Sequence, residues 1–174
     1  MRAAGMHNFV DAGIQPGVHS CVFPRVIFAF ADGGDCWLDT ETADLQPTDI
    51  LRSTLAGEAD VARFAAGGSD SRGVSLRLAG LDWPQAASTG EHLGSAGRNM
   101  SFLSGSPPTF PSMLRINDAA SRLVAVLNRA PSGIFDVADD EFLPHRGLNA
   151  MLAPAADQPR LRPVPAPIVP SPGG

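Results

Sequence analysis

The chain has 174 residues, 44% of them hydrophobic and 18% charged, with a net charge of −5, a composition that builds a core-bearing domain and not a disordered segment. Its 13 basic residues are all arginines without a basic patch, and Tyr and Lys are both missing; this argues against nucleic acid as a partner and removes Schiff-base chemistry, the P-loop lysine and any Tyr–Lys couple. No apolar run reaches membrane-spanning length, no signal-peptide pattern opens the chain, and two cysteines, Cys21 and Cys36, fit a reducing compartment, so the expected location is cytoplasmic.

In chain order, residues 2–13 read as the end of an amphipathic helix with Gly13 as C-cap. "VHSCVFPRVIFAF" (18–30) is apolar and β-branched, a buried strand running into a loop. Residues 31–47, rich in Gly, Asp and Thr, form that loop. Residues 48–66 make a helix, with Thr48 or Asp49 as N-cap, Leu51, Leu55, Val61 and Phe64 among its apolar positions, and Gly67-Gly68 as its stop. "RGVSLRLAGL" (72–81) is a second strand. Residues 82–111 read as irregular, with a short helix near 90–97. "SMLRI" (112–116) is a short strand, and Asn117 or Asp118 caps a helix over 119–129. "SGIFDVADDE" (132–141) is a strand ending in an acidic turn, and "PHRGLNAMLA" (144–153) is a helix with Pro in its first turn. Strands alternating with helices predict an α/β domain over 1–153 with parallel pairing. Residues 154–174, dense in Pro, predict an extended tail.

Three blocks resemble the extended short-chain dehydrogenase/reductase family, the NAD-dependent epimerase/dehydratase group. They are "HNFVDAGIQPGVHSCVF", "RSTLAGEADVARFAAGGSDSRGVSLRLAGL" and "RINDAASRLVAVLNRAPSGIFDVADDE". The third is the most specific, since residue types and spacing agree across its length. The resemblance implies a partial doubly wound, Rossmann-like parallel sheet without its N-terminal dinucleotide-binding half. It also implies an NAD(P) cofactor and a sugar-like or small carbonyl substrate.

The family's catalytic helix has the form Tyr-x-x-Ser-Lys-x-x-x-Glu. Here Ser53 and Glu58 match, but Ile50 stands at the Tyr and Thr54 at the Lys. Val26, or Arg25 on a slip of one, stands at the family's Ser. The resemblance therefore implies a catalytically inactive fragment, or a non-catalytic binding or interaction module retaining the substrate half. Leu78, Ala79 and Gly80 match the strand end under the nicotinamide and are the expected cofactor-contacting positions. The glycine turn that would cradle a pyrophosphate at a helix N-terminus has one look-alike, "TGEHLGSAG" (89–97), which follows "DWPQAAS" and not a strand.

The other polar residues have plain readings. His7, His19, His92 and His145 share no ligand spacing, so no metal site is expected. The acids of "DVADDE" cap a turn before Pro144. Cys36 has no neighbouring activator in sequence, and Ser53 has no nucleophile elbow. "PIVP" in the tail is a lone Pro-x-x-Pro. Without a front half, the strand at residues 19–29 would present an open edge, and a homodimer through that edge is the expected assembly.

Overall fold

The structure is a computed structural model that describes residues 2–14, 17–31, 33, 36–47, 49–104, 110–141 and 143–164. The expected N-cap at Thr48 and the "PIVP" stretch lie outside the described residues.

A three-stranded sheet of order β1-β2-β6 organises the chain, built from β1 (Ser20–Val26), β2 (Arg72–Leu78) and β6 (Gly133–Val137). Both pairings are parallel, with Ser20 opposite Arg72 and Val74 opposite Gly133. Residues alternate between faces along each strand. Cys21 and Phe23 pack with Val10 of α1 (Arg2–Gly13) and with Val61 and Phe64 of α2 (Asp49–Ala66). Val22, Val74, Leu76, Leu78, Phe135 and Val137 turn to the other face and meet Ala119, Leu123 and Val126 of α4 (Ile116–Arg129). Helices on both faces of a parallel sheet make the doubly wound arrangement expected from the sequence. Burying side chains such as Phe64 or Leu76 contributes about 1.5–3 kcal/mol each.

The "RGVSLRLAGL" run is not one strand. After Ala79, whose N–H donates to the Val137 carbonyl, the Gly80 N–H turns to the Ser112 carbonyl. The chain thus changes partners, and β3 (Gly80–Asp82) pairs with β5 (Met113–Arg115). Three further expectations are corrected. First, α4 starts at Ile116 behind an extended Arg115, so Asn117 and Asp118 lie in its first turn and neither is its N-cap; the Asp118 carboxylate still meets the positive end of the helix dipole. Second, the stretch after 82 is largely ordered, as α3 (Ala87–Gly97) and β4 (Met100–Ser104). Third, the region after Ala153 is not an extended tail as far as it is described. Helix α5 (His145–Ala155) continues through Pro154, and β7 (Arg162–Val164) pairs parallel to β4. Leu161 then joins Ala96 and Ala153 in a small core, and that burial holds the segment down.

Two local details position the site. Arg72, at the start of β2, donates to the carbonyls of Leu127 and Ala130 at the C-terminal end of α4, satisfying helix-end acceptors. This fixes α4 antiparallel to the strands. The Arg72 N–H also donates to His19, and the Ile27 N–H to Leu78. Odd-numbered peptide groups of β1 therefore face β2, and those of Ser20, Val22, Pro24 and Val26 face outward. Among the described residues β1 is an edge strand, and Pro24 supplies no N–H to that edge.

Candidate functional site

Ligands of open α/β sheets gather at the carboxyl ends of the strands. There β1, β2 and β6 bring Arg25, Arg77 and Asp136 into adjacent register, all on the α2 face. Glu58, in the third turn of α2, reaches between the arginines. Arg77 donates through Nε to Glu58 Oε1 at 2.9 Å and through Nη2 to Oε2 at 3.1 Å. Arg25 Nε lies 2.9 Å from the same Oε1, at an angle that makes an ion pair and not a hydrogen bond. The Arg25 side chain is 1% exposed. The Phe30 ring covers the Arg77 guanidinium at 5.0 Å, a cation–π contact.

Among the described residues, the Arg25 guanidinium and both Asp136 carboxylate oxygens have no hydrogen-bond partner. Burial lowers the pKa of Arg25 despite the pull of Glu58. Burial raises that of Asp136, more than Arg77 lowers it. Glu58 is committed to two cations, and a guanidinium does not exchange its proton near neutral pH. The ion pairs of Glu58 tie α2 to the sheet.

The residues expected at the catalytic positions do not converge. Val26 ends β1 and is exposed; as an even-numbered residue it points away from α2. Ile50 falls in the first turn of α2. Thr54 and Ser53 line a groove between α1 and α2, of about 310 Å³, with Gly5, Met6, Phe9 and Phe23. That volume is at the small end for ligand pockets, and the lining is mostly apolar. Leu78 and Ala79 are buried in the sheet core, where their side chains offer no surface to a ligand. Gly80 is held between β2 and β5, and a Cβ there would sit 3.3 Å from Met113 Sδ.

The glycines of "TGEHLGSAG" lie within α3 itself, so they form no turn between a strand and a helix N-terminus. That stretch therefore supplies no phosphate-cradling turn. Sequence reasoning matched Glu58 to the motif but missed its partner Arg77 and the neighbouring Asp136, which only the strand register assembles beside Arg25.

A second polar group lies in the smaller lobe. Ser101 of β4 contacts His145 Nε2 at 2.6 Å and donates to Asn149 Oδ1 at 3.0 Å. With the hydroxyl proton on Asn149, Nε2 carries the ring proton and donates to Oγ (a tautomer assigned from the hydrogen bonds). In this arrangement the pair latches β4 to the first turn of α5. Burial lowers the His145 pKa. A depressed folded pKa gives stability that is present above the unfolded value of about 6.5 and lost as pH falls below it. The melting midpoint should therefore fall between pH 7.5 and pH 5.5, and fall less in His145→Gln. Ser101→Ala should cost about 1–3 kcal/mol at pH 7.5, because it leaves buried partners unsatisfied. Equal pH slopes in wild type and His145→Gln would contradict this.

The other polar residues are accounted for locally. His7 contacts Asp60 at 2.8 Å and Asp11 at 3.5 Å on the exposed α1–α2 surface. The Asp139 N–H donates to the Met113 carbonyl, and its carboxyl pKa is raised by burial and by Asp118 and Asp140. Cys21 is buried, its thiol pKa raised by burial, and Cys36 is exposed; both are free. No metal-binding cluster of His, Cys, Asp or Glu occurs among the described residues. Nor is any described helix long and apolar enough to cross a membrane.

The sequence matches no known family profile and no curated protein. Solved structures do share the fold. UDP-glucose 4-epimerase of Thermus thermophilus, in complex with NAD, has 19% identity and a TM-score of 0.69, over 94% of this chain and 57% of that one. UDP-glucuronic acid 4-epimerase of Bacillus cereus, also with NAD, has 12% identity and a TM-score of 0.74, over 92% and 54%. UDP-glucose 4-epimerase of Thermotoga maritima, with UDP-glucose, has 15% identity and a TM-score of 0.75, over 94% and 55%. The chain has the fold of NAD-dependent epimerases and spans about half the length of these structures.

Proposed function

We propose that the chain is a catalytically inactive unit of the NAD-dependent epimerase/dehydratase type, retaining the half of the fold that faces a sugar-like or small carbonyl ligand. One observation carries this. The fold is shared with the epimerases, yet α2 presents Ile50 and Thr54 where the family resemblance places Tyr and Lys. Isoleucine transfers no proton, and threonine supplies no charge to lower a phenol's pKa. A second reading, a non-catalytic interaction module, is favoured by the apolar surface that α4 leaves uncovered.

The test is a fluorescence titration of the purified chain with NADH and NADPH, followed by an assay of UDP-glucose turnover. The expected results are no turnover and a Kd weaker than about 10 μM, which corresponds to about 7 kcal/mol. Cofactor-dependent turnover that vanishes on substituting a named residue here, or clearly tighter binding, would overturn the reading.

A further inference from the structure

The described residues pack as two units. The principal contacts of α3, β4, α5 and β7 are with one another, whereas α1, α2, α4, β3 and β5 form one contact network with the three-stranded sheet. The two units are unequally built. The sheet is held by large side chains such as Phe64, Val74 and Leu76, while the smaller lobe closes on Ala96, Ala153 and Leu161. Alanine removes little apolar area from water, so this second core contributes far less. The helices around it also carry residues that disfavour a helix, Gly90 and Gly94 in α3 and Pro154 in α5. Such a unit opens at a lower free energy than the core to which it is attached.

The four histidines divide along the same line. His7 and His19, in the larger unit, are exposed. His92 of α3 is half-buried, and His145 of α5 is buried. Ser101 holds His145 and donates to Asn149 one turn further along α5, so this contact joins the central strand of the lobe to its second helix. β4 brings no titratable side chain to that contact. The charged groups on the surrounding elements are Glu91, Arg98, Arg146, Asp157, Arg160 and Arg162. None of them offsets the burial that lowers the His145 pKa. Around His92, Glu91 and Asp82 favour the charged ring, but burial outweighs both and lowers its pKa as well.

We infer that the smaller lobe is an acid-operated flap, which opens as a unit when His92 and His145 take up protons while the three-stranded sheet stays closed. Both rings are held from water in the closed lobe and reach it in the open one. Their depressed pKa values give a closure that is fully present above the open-state value of about 6.5 and lost as pH falls below it. One pH unit below that value, each histidine raises the open population by up to about tenfold. The imidazolium of His145 would face Ser101 and Asn149 without a counter-charge, which burial makes costly. The acid sensitivity expected above for the melt thus begins in this lobe. The device follows from the packing of the lobe and does not depend on the ligand proposed above.

The test is native-state amide exchange on the whole chain, followed by NMR at pH 7.5 and pH 5.5 and corrected for the intrinsic pH dependence of exchange. The Asn99, Gln158 and Arg162 amides, which donate to the carbonyls of Ala96, Ala153 and Asn99, report on the lobe. Those of Ile27 and Ala79, which donate to Leu78 and Val137, report on the sheet. Protection in the lobe is expected to fall about tenfold at pH 5.5, with less than about a twofold change in the sheet. In the double variant His92→Gln/His145→Gln the fall in the lobe should shrink to less than about twofold. Equal losses in the two sets would make the opening global and overturn the inference. No loss in the lobe, or a loss that survives in the double variant, would overturn it too. If the glutamines leave the lobe unprotected even at pH 7.5, the ring carbon shifts of His145 in the wild type decide. A midpoint below about 6.5, together with the selective loss, upholds the flap; a midpoint at or above that value overturns it.

Discussion

Glu58→Gln is expected to destabilise the folded chain by about 3–5 kcal/mol, the usual cost of removing one partner from a buried ion pair. Glu58 is the anion between Arg25 and Arg77, both buried, and its neutral replacement leaves two guanidinium groups facing each other out of water. Against a typical total of about 5–15 kcal/mol, that loss takes a large share of the stability. Asp136→Asn in the same row should behave in the opposite way. The Asp136 carboxylate is buried without a hydrogen bond, and its pKa is raised chiefly by burial. A raised folded pKa gives stability that is full below the unfolded value of about 3.9 and lost as pH rises through the folded pKa. The carboxylate is therefore a liability at pH 7, and Asp136→Asn should be neutral or stabilising there and flatten the pH dependence above pH 4. Urea denaturation at pH 7 separates the two. A Glu58→Gln loss below about 1 kcal/mol would mean that the arginines find water or another anion.

Gly73→Ala is expected to cost about 3 kcal/mol, at the upper end for overpacking. A Cβ at Gly73 would overlap the Val61 carbonyl oxygen and lie 3.0 Å from Val61 Cγ1 and 3.2 Å from Ala65 Cβ. The obstacle is the backbone of α2, which no rotamer change relieves. Neither can β2 step back, since β1 and β6 flank it and α4 packs on its far face. The same substitution at Gly90 or Gly94 of α3 meets nothing within 4 Å. There alanine should stabilise by about 0.5–1 kcal/mol through its better helix propensity. Thermal melts of the three variants check the sign reversal. A stable Gly73→Ala protein would show that α2 sits farther from the sheet.

The main sheet and its helices were legible because their signals are local. The apolar run around Cys21 to Val26, the 3.6-residue spacing that puts Val61 and Phe64 on one face of α2, and the Gly67-Gly68 stop each needed only neighbouring residues. The smaller lobe was not, because β4 and β7 are short, polar or Pro-rich, and stand as strands only by pairing with each other. The N-cap of α4 was misplaced for a related reason. Asn117 and Asp118 suit a cap chemically, but the pairing of β5 with β3 holds Arg115 extended and sets the start of the helix one residue on. At the site, Glu58 was visible as a motif position. Its partner Arg77 and the nearby Asp136 read as ordinary strand residues until the parallel register set them side by side with Arg25.

That register also bears on how the chain reaches its fold. Arg72 meets Ser20 across 52 residues, and Gly73 meets Ser132 across 59. Neither strand pair can form by a hairpin. Each needs a long loop closed before any ladder bond repays the lost entropy, and topologies of this kind fold slowly at a given stability. Helices α2 and α4 can form early from their own periodicity, whereas β2 waits for both neighbours to arrive from opposite directions along the chain. During that interval the apolar strands are exposed to other chains, so refolding yield should fall as protein concentration rises even where the finished fold is stable.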